Sequence, residues 1–92
     1  MTVNRSNRES DEIEYIMKLD EFIQNVADLF DNIDSSLFSA QTKYKELPGW
    51  SSLLALSIVA MIDEEYGIQM EGRDIWNSET IEDLFQVMVS RQ

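Results

Sequence analysis

The chain reads as an all-α domain, and three observations predict it. One proline and three glycines in 92 residues leave too little punctuation for the many tight turns of a sandwich or barrel. Apolar residues recur at helical spacing over long unbroken segments. Hydrophobic residues make up 43% and charged residues 27% of the sequence, a balance typical of a folded soluble chain. A chain of this length fills one domain at most and buries roughly 60% of the surface its unfolded form exposes.

Residues 1–10 are expected to form a flexible N-terminal segment, because Ser, Asn and Arg dominate there without periodicity and termini of this kind fray. The single helical domain then spans 11–92. Its first helix is predicted from Asp11 to Ile33. Ile16, Leu19, Ile23, Val26, Phe30 and Ile33 follow one another alternately three and four residues apart, which makes one apolar stripe. Phe22 and Leu29 widen it, and Asp11, Glu12 and Glu14 suit the positive end of the helix dipole. From Asp34 to Trp50 the period breaks among Ser35, Ser36, Ser39, Thr42, Pro48 and Gly49. A connection this long is expected to contain a short turn of helix and to be anchored by Leu37, Phe38, Tyr44 and Leu47.

The second helix opens at Ser51 or Ser52 and runs to Tyr66, where Gly67 offers the left-handed stop that helices favour. A short segment with Gly72, Asp74, Ile75 and Trp76 suits one helical turn. The last helix starts near Thr80, whose partner Asp83 three residues on resembles a capping box. Ile81, Leu84, Phe85 and Met88 then form its apolar face. Trp50 and Trp76 read as packing residues.

Charge and missing residue types narrow the function. Eighteen acids against seven bases give a net charge of −11. That disfavours nucleic acid and anionic membranes, which need clustered Lys and Arg, and suits a basic protein surface. The chain has no Cys and no His. Disulfides, the usual zinc sites and Cys or His nucleophile systems are therefore absent, as is the usual general base of a hydrolase. The first ten residues lack the apolar core of a secretion signal, and the most apolar run, Leu53–Ile62, is too short to span a membrane. A cytoplasmic, non-catalytic, acidic helical module is the expectation.

The second helix carries the candidate site. Between Leu53 and Ile62 only Ser57 is polar, so two stripes can be drawn. Ala55, Ile58, Val59, Ile62 and Tyr66 form the better core stripe. Leu53, Leu56, Ser57, Ala60 and Glu64, with Asp63 beside them, form a mixed one. On spacing alone, packing of Leu53 and Leu56 beneath the long connection is slightly favoured over a partner-facing surface. Asp63, Glu64 and Glu65 read as a solvated, partner-facing helix end rather than a cation site, for which no loop is supplied. Ser51 and Ser52 suit either of two roles, N-caps or a point of covalent attachment where a phosphodiester would meet free backbone N–H groups. Spacing leaves both open.

Taken in order, Trp50-Ser51-Ser52-Leu53, the apolar helix ending Asp63-Glu64-Glu65-Tyr66-Gly67, Ile68 and Thr80-Ile81-Glu82-Asp83-Leu84 resemble the acyl carrier proteins. The lead-in Thr42-Lys43-Tyr44-Lys45-Glu46-Leu47 is similar too, and the likeness covers about Ile16 to Val89. The resemblance implies a four-helix bundle with three longer helices and a short third one. It also implies a serine that carries 4′-phosphopantetheine, taken from coenzyme A, whose thiol holds acyl cargo as a thioester. Ser52 matches that serine, because Leu53 follows it. Such an arm would supply the thiol that a chain without Cys lacks.

The implied partners are a phosphopantetheinyl transferase and acyl-loading and acyl-processing enzymes with basic docking surfaces. Ser51, Leu53, Leu56, Ala60, Asp63 and Glu64 are the expected contacts on a monomeric carrier. Ser51 stands where the family usually has Asp, which bears on transferase choice. Leu54 and Ser57 stand where fatty-acid carriers tend to place acid, a hint of a specialised lipid or secondary-metabolite pathway. Asp34-Ser35-Ser36-Leu37 repeats the motif without the helix it requires. The alternative is an unmodified acidic helical adaptor for a basic protein partner.

Overall fold

The computed structural model describes residues 3–92, with side chains from Ser10 onward. Four helices, α1 (Val3–Ala27), α2 (Ser52–Tyr66), α3 (Gly72–Asn77) and α4 (Ile81–Ser90), are joined by irregular segments. Two 3₁₀ turns, Ser35–Leu37 and Tyr44–Glu46, lie between α1 and α2. There is no strand among the described residues, so the fold is the expected all-α bundle with a short third helix. No helix among them is long and apolar enough to cross a membrane.

Both ends of α1 differ from the sequence expectation. The expected loose start lies outside the described residues at 1 and 2, but from Val3 the backbone is already helical. No Gly or Pro interrupts residues 3–27, and extending a formed helix costs far less than nucleating one. At the other end α1 stops at Ala27, not Ile33. Leu29 N–H donates to Val26 C=O and Phe30 N–H to Ala27 C=O, both 3.0 Å, so the backbone tightens to three-residue spacing and leaves the helix. Phe30 is thereby turned into the core, against Phe38 at 5.3 Å between ring centroids.

The core is one cluster fed by every helix. From α1 come Leu19, Phe22, Val26 and Ala27, and from α2 Ala55, Ile58, Met61 and Ile62. Ile75 of α3 and Ile81, Leu84, Phe85 and Met88 of α4 join them, with Phe30, Phe38, Tyr44, Ile68 and Met70 from the connecting segments. Phe22 is its aromatic centre, 5.4 Å from Phe85 and 5.9 Å from Tyr66. The stripe expected on α1 is therefore rotated. Ile23 is only half-buried and Ile16 is exposed, while Phe22, expected at the margin, takes the middle. Neighbouring positions on a helix are roughly 100° apart, and the flat ring of Phe22 fills the gap opposite Phe85 and Tyr66. Val59 and Tyr66 are likewise half-buried, with Met61 taking a place on the core face of α2.

Helices α1 and α2 run antiparallel. Asn25 and Phe22 meet Tyr66 at the end of α2, Asn25 Nδ2 donating to Tyr66 Oη at 3.0 Å, whereas Leu29 and Phe30 share a groove with Ser51 and Leu54 at its start. The α1–α2 connection holds short helical turns as expected, but as two separate 3₁₀ turns. Of its four expected anchors, Phe38 and Tyr44 are buried and Leu47 is half-buried, while Leu37 points to solvent.

Candidate functional site at the start of helix α2

The approach to α2 is shaped by a turn over Leu47-Pro48-Gly49-Trp50. Trp50 N–H donates to Leu47 C=O at 3.2 Å, and Gly49 takes φ 86°. Proline second and a positive-φ glycine third is the pattern of a type II turn. Trp50 then packs edge-on against Tyr44 at 5.5 Å and Trp76 at 6.0 Å, as its reading as a packing residue requires. Trp76 itself stays more than half exposed.

The same connection finishes the C-terminal end of α3. The buried Tyr44 hydroxyl donates toward the carbonyls of Ile75 and Ser78, at 2.6 and 3.2 Å, and Lys45 Nζ donates to Trp76 C=O. A cation suits the negative end of a helix dipole, and the Lys45 ammonium also stands 5.8 Å from the centroid of the Trp76 ring. Burial pushes the Tyr44 phenol well above its ordinary pKa, so it remains a neutral donor. The start of α2 is thus braced on α3 by aromatic packing and three side-chain-to-carbonyl contacts. Sequence reasoning named Tyr44 and the tryptophans but not this seam, because its partners lie some thirty residues on.

Ser51 and Ser52 have different roles. Ser51 is the N-cap: its backbone is extended and its Oγ accepts the Leu54 N–H at 3.3 Å. Ser52 is the first helical residue. It is exposed, and its hydroxyl enters none of the hydrogen bonds found among the described residues. Of the orphan N–H groups at this helix end, Ser51 satisfies that of Leu54, and those of Ser52 and Leu53 remain for an incoming anion. These donors, an open hydroxyl and the helix dipole together fit a phosphodiester on Ser52. Ser36 is placed otherwise. It sits in a three-residue 3₁₀ turn whose N-cap Asp34 accepts the Ser36 N–H at 2.9 Å, a bond that also lowers the Asp34 pKa.

The mixed stripe of α2 is solvent-facing. Leu53 is 73% and Leu56 63% exposed, and Ala60, Asp63 and Glu64 are exposed with them. The reading that spacing alone slightly favoured, packing under the long connection, is therefore overturned. That connection is held by Phe38 and Tyr44 and leaves this side of α2 bare. Two grooves flank it. One, of about 440 Å³, runs between Leu29, Asn32 and Ile33 on one wall and Leu53, Leu54 and Ser57 on the other. The second, of about 630 Å³, is walled by Leu56, Val59, Ala60 and Asp63 across from Met70 and Arg91. Ser52, Leu56, Val59 and Asp63 lie at i, i+4, i+7 and i+11, one row of the helix, so Ser52 stands one turn before the wall of the second groove.

Arg91 fixes the far side of that groove. Its guanidinium makes a paired contact with Asp74 at 2.7 and 2.8 Å, tying the end of α4 to α3. Those hydrogen bonds hold the Asp74 carboxyl below its ordinary pKa. No sequence signal pairs these two residues. The Asp74 carboxylate also accepts the Glu71 N–H at 2.8 Å, and that link the three-residue spacing could have revealed.

The model of the family described as phosphopantetheine attachment site matches residues 21–87. No curated protein and no solved structure shows significant similarity to the chain. The match spans α2, α3, most of α4 and the C-terminal end of α1, which is the body of the bundle and includes both serines at the start of α2. The chain belongs to the phosphopantetheine attachment-site family, consistent with an acyl carrier protein, and its cofactor is covalently attached 4′-phosphopantetheine.

Proposed function

We propose that the protein is an acyl carrier that bears its arm on Ser52 and presents thioester-bound cargo to biosynthetic enzymes without catalysing a reaction itself. The observation that carries this reading is the division of labour between the two serines. Ser51 Oγ is used in capping α2, whereas the neighbouring Ser52 hydroxyl is exposed at the first helical position. When bound, the arm supplies the nucleophilic thiol that a chain with no Cys lacks. The residues of the chain orient it: Ser51 holds the helix end in register, and the Ser52 and Leu53 N–H groups face the phosphate. Leu53, Leu56 and Ala60 offer apolar contact to an enzyme arriving at this end, while Asp63 and Glu64 steer a basic surface toward it. With no His in the chain, Ser52 has no ordinary base to make it a hydrolytic nucleophile. The carrier acts as a monomer in the cytoplasm, on residues 11–92, with a phosphopantetheinyl transferase as its first partner.

The test is intact mass after incubation with a phosphopantetheinyl transferase and coenzyme A, on the wild type and on Ser36→Ala, Ser51→Ala and Ser52→Ala. Only Ser52→Ala should lose the phosphopantetheine increment, with Ser51→Ala slowed at most. Loss in Ser51→Ala with retention in Ser52→Ala moves the arm to Ser51. A wild type that several transferases leave unmodified points instead to an acidic adaptor working through the same exposed stripe.

A further inference from the structure

On α1, Ile13, Ile16 and Met17 are 58%, 56% and 66% exposed. They lie at i, i+3 and i+4, so they form one patch. Beside the patch the helix meets the core through Tyr15, Leu19 and Phe22, and at roughly 100° per residue the middle of the patch, at Ile13, is turned away from all three, while Ile23 and Ala27 reach the core farther along the helix. Rolling α1 to bury it would expose Phe22 and Val26, and nothing among the described residues covers it. The rim is acidic, with Glu14 and Glu21 along one edge, Glu12 on the other, and Asp20 closing the end of the patch one turn past Ile16 and Met17. Lys18 neutralises Glu14, with which its ammonium pairs at 2.9 Å, and Glu12, Asp20 and Glu21 set the remaining charge of the rim. The antiparallel packing of α1 on α2 puts the patch far from Ser52. Ile16 precedes the last helical residue, Ala27, by about 16 Å of helix, and Phe30 beyond it lies beside the start of α2.

We propose that this face of α1 is a second docking surface, and that its occupant is a basic amphipathic helix of a partner protein. An apolar ridge on that helix packs against Ile13, Ile16 and Met17, and lysines or arginines on its flanks meet the two carboxylate edges. Charge decides against a second copy of this chain, since two molecules of net charge −11 would bring acid rim to acid rim. A partner held here leaves the start of α2 open, so the protein can be retained at one end while the other end meets enzymes in turn.

The probe is a synthetic amphipathic helix of leucine and lysine, titrated into ¹⁵N-labelled full-length protein. Shifts should centre on residues 12–21 and weaken as salt rises. Ile13→Gln with Met17→Gln should lower affinity about tenfold while leaving circular dichroism, melting and the rate of modification by the transferase unchanged. Leu56→Arg should leave the peptide bound. Shifts confined to 52–66, an unchanged affinity in the α1 variant, or a concentration-dependent dimer abolished by that variant would each overturn the proposal, the last by making the occupant a second copy.

Discussion

At Tyr44 a fully buried ring carries a hydroxyl, and a buried hydroxyl without an acceptor is costly. The carbonyls of Ile75 and Ser78 supply the acceptors. Tyr44→Phe keeps the ring and strands those carbonyls, so urea denaturation should show a loss of roughly 1–3 kcal/mol with an unchanged helical spectrum. Ile62, fully buried on α2, is a simpler case. Ile62→Ala should cost about 2–5 kcal/mol in a domain whose total is about 5–15 kcal/mol, and a neutral result would mean that the core face of α2 is elsewhere. Ile62 was legible from spacing because its stripe runs unbroken to Tyr66. The choice between Phe22 and Ile23 was not. Both are apolar and adjacent, and only the rings of Phe85 and Tyr66, brought close by folding, decide between them.

Helix α2 is specified at both ends by local chemistry. Ser51 caps its start, and Gly67, at φ 67°, ends it with its N–H bonded to Asp63 C=O at 2.9 Å. The reciprocal bonds of Thr80 and Asp83, at 3.0 and 3.1 Å, do the same for α4. Such signals need only neighbouring residues, which is why both helices were legible. The end of α1 was hidden because Leu29, Phe30 and Ile33 keep a helical period while the chain already turns, and periodicity cannot tell a helix from a turn that dips the same residues into the core. Nor could spacing say whether Leu56 is covered, since that depends on where the long connection lies. Its exposure yields a direct expectation. Leu56→Arg should leave melting nearly intact yet slow arm attachment or later acyl transfer, and Asp63→Lys with Glu64→Lys should weaken partner association at low salt. Unfolding by Leu56→Arg would return that residue to the core.

Across the whole molecule, pH acts through carboxylates whose pKa is lowered by folding. Asp74, its side chain 11% exposed, is held below 3.8 by hydrogen bonds from Arg91, and the Thr80 N–H lowers Asp83 in the same direction. A carboxyl with a depressed folded-state pKa binds protons less readily folded than unfolded. Its contribution is therefore complete above pH 3.8 and is lost as pH falls through the folded value. Asp74→Asn should be less stable than wild type at neutral pH, and its stability should fall less steeply below about pH 4, as followed by urea denaturation at a series of pH values. Equal slopes would mean that the pair with Arg91 does not persist in solution. This long-range clamp was beyond reach of the sequence, which shows an arginine near the end and an aspartate in a short helix but nothing that joins them.

The edge-on contact of Trp50 with Trp76 has an optical consequence. These are the chain's two tryptophans, and both sit in the seam that joins the start of α2 to α3. The tryptophan emission of the molecule therefore comes from one place, beside the start of α2. The α1–α4 half, whose aromatic contacts are those of Tyr15 and Phe22 on Phe85, is dark at the red edge of the absorption band. Emission excited there gauges the start of α2 and its seam with α3 alone, and far-ultraviolet dichroism gauges the whole bundle. Denaturation curves that coincide by the two signals would mark a single cooperative unit, and an earlier change in emission would mark a seam that opens while the rest stays folded.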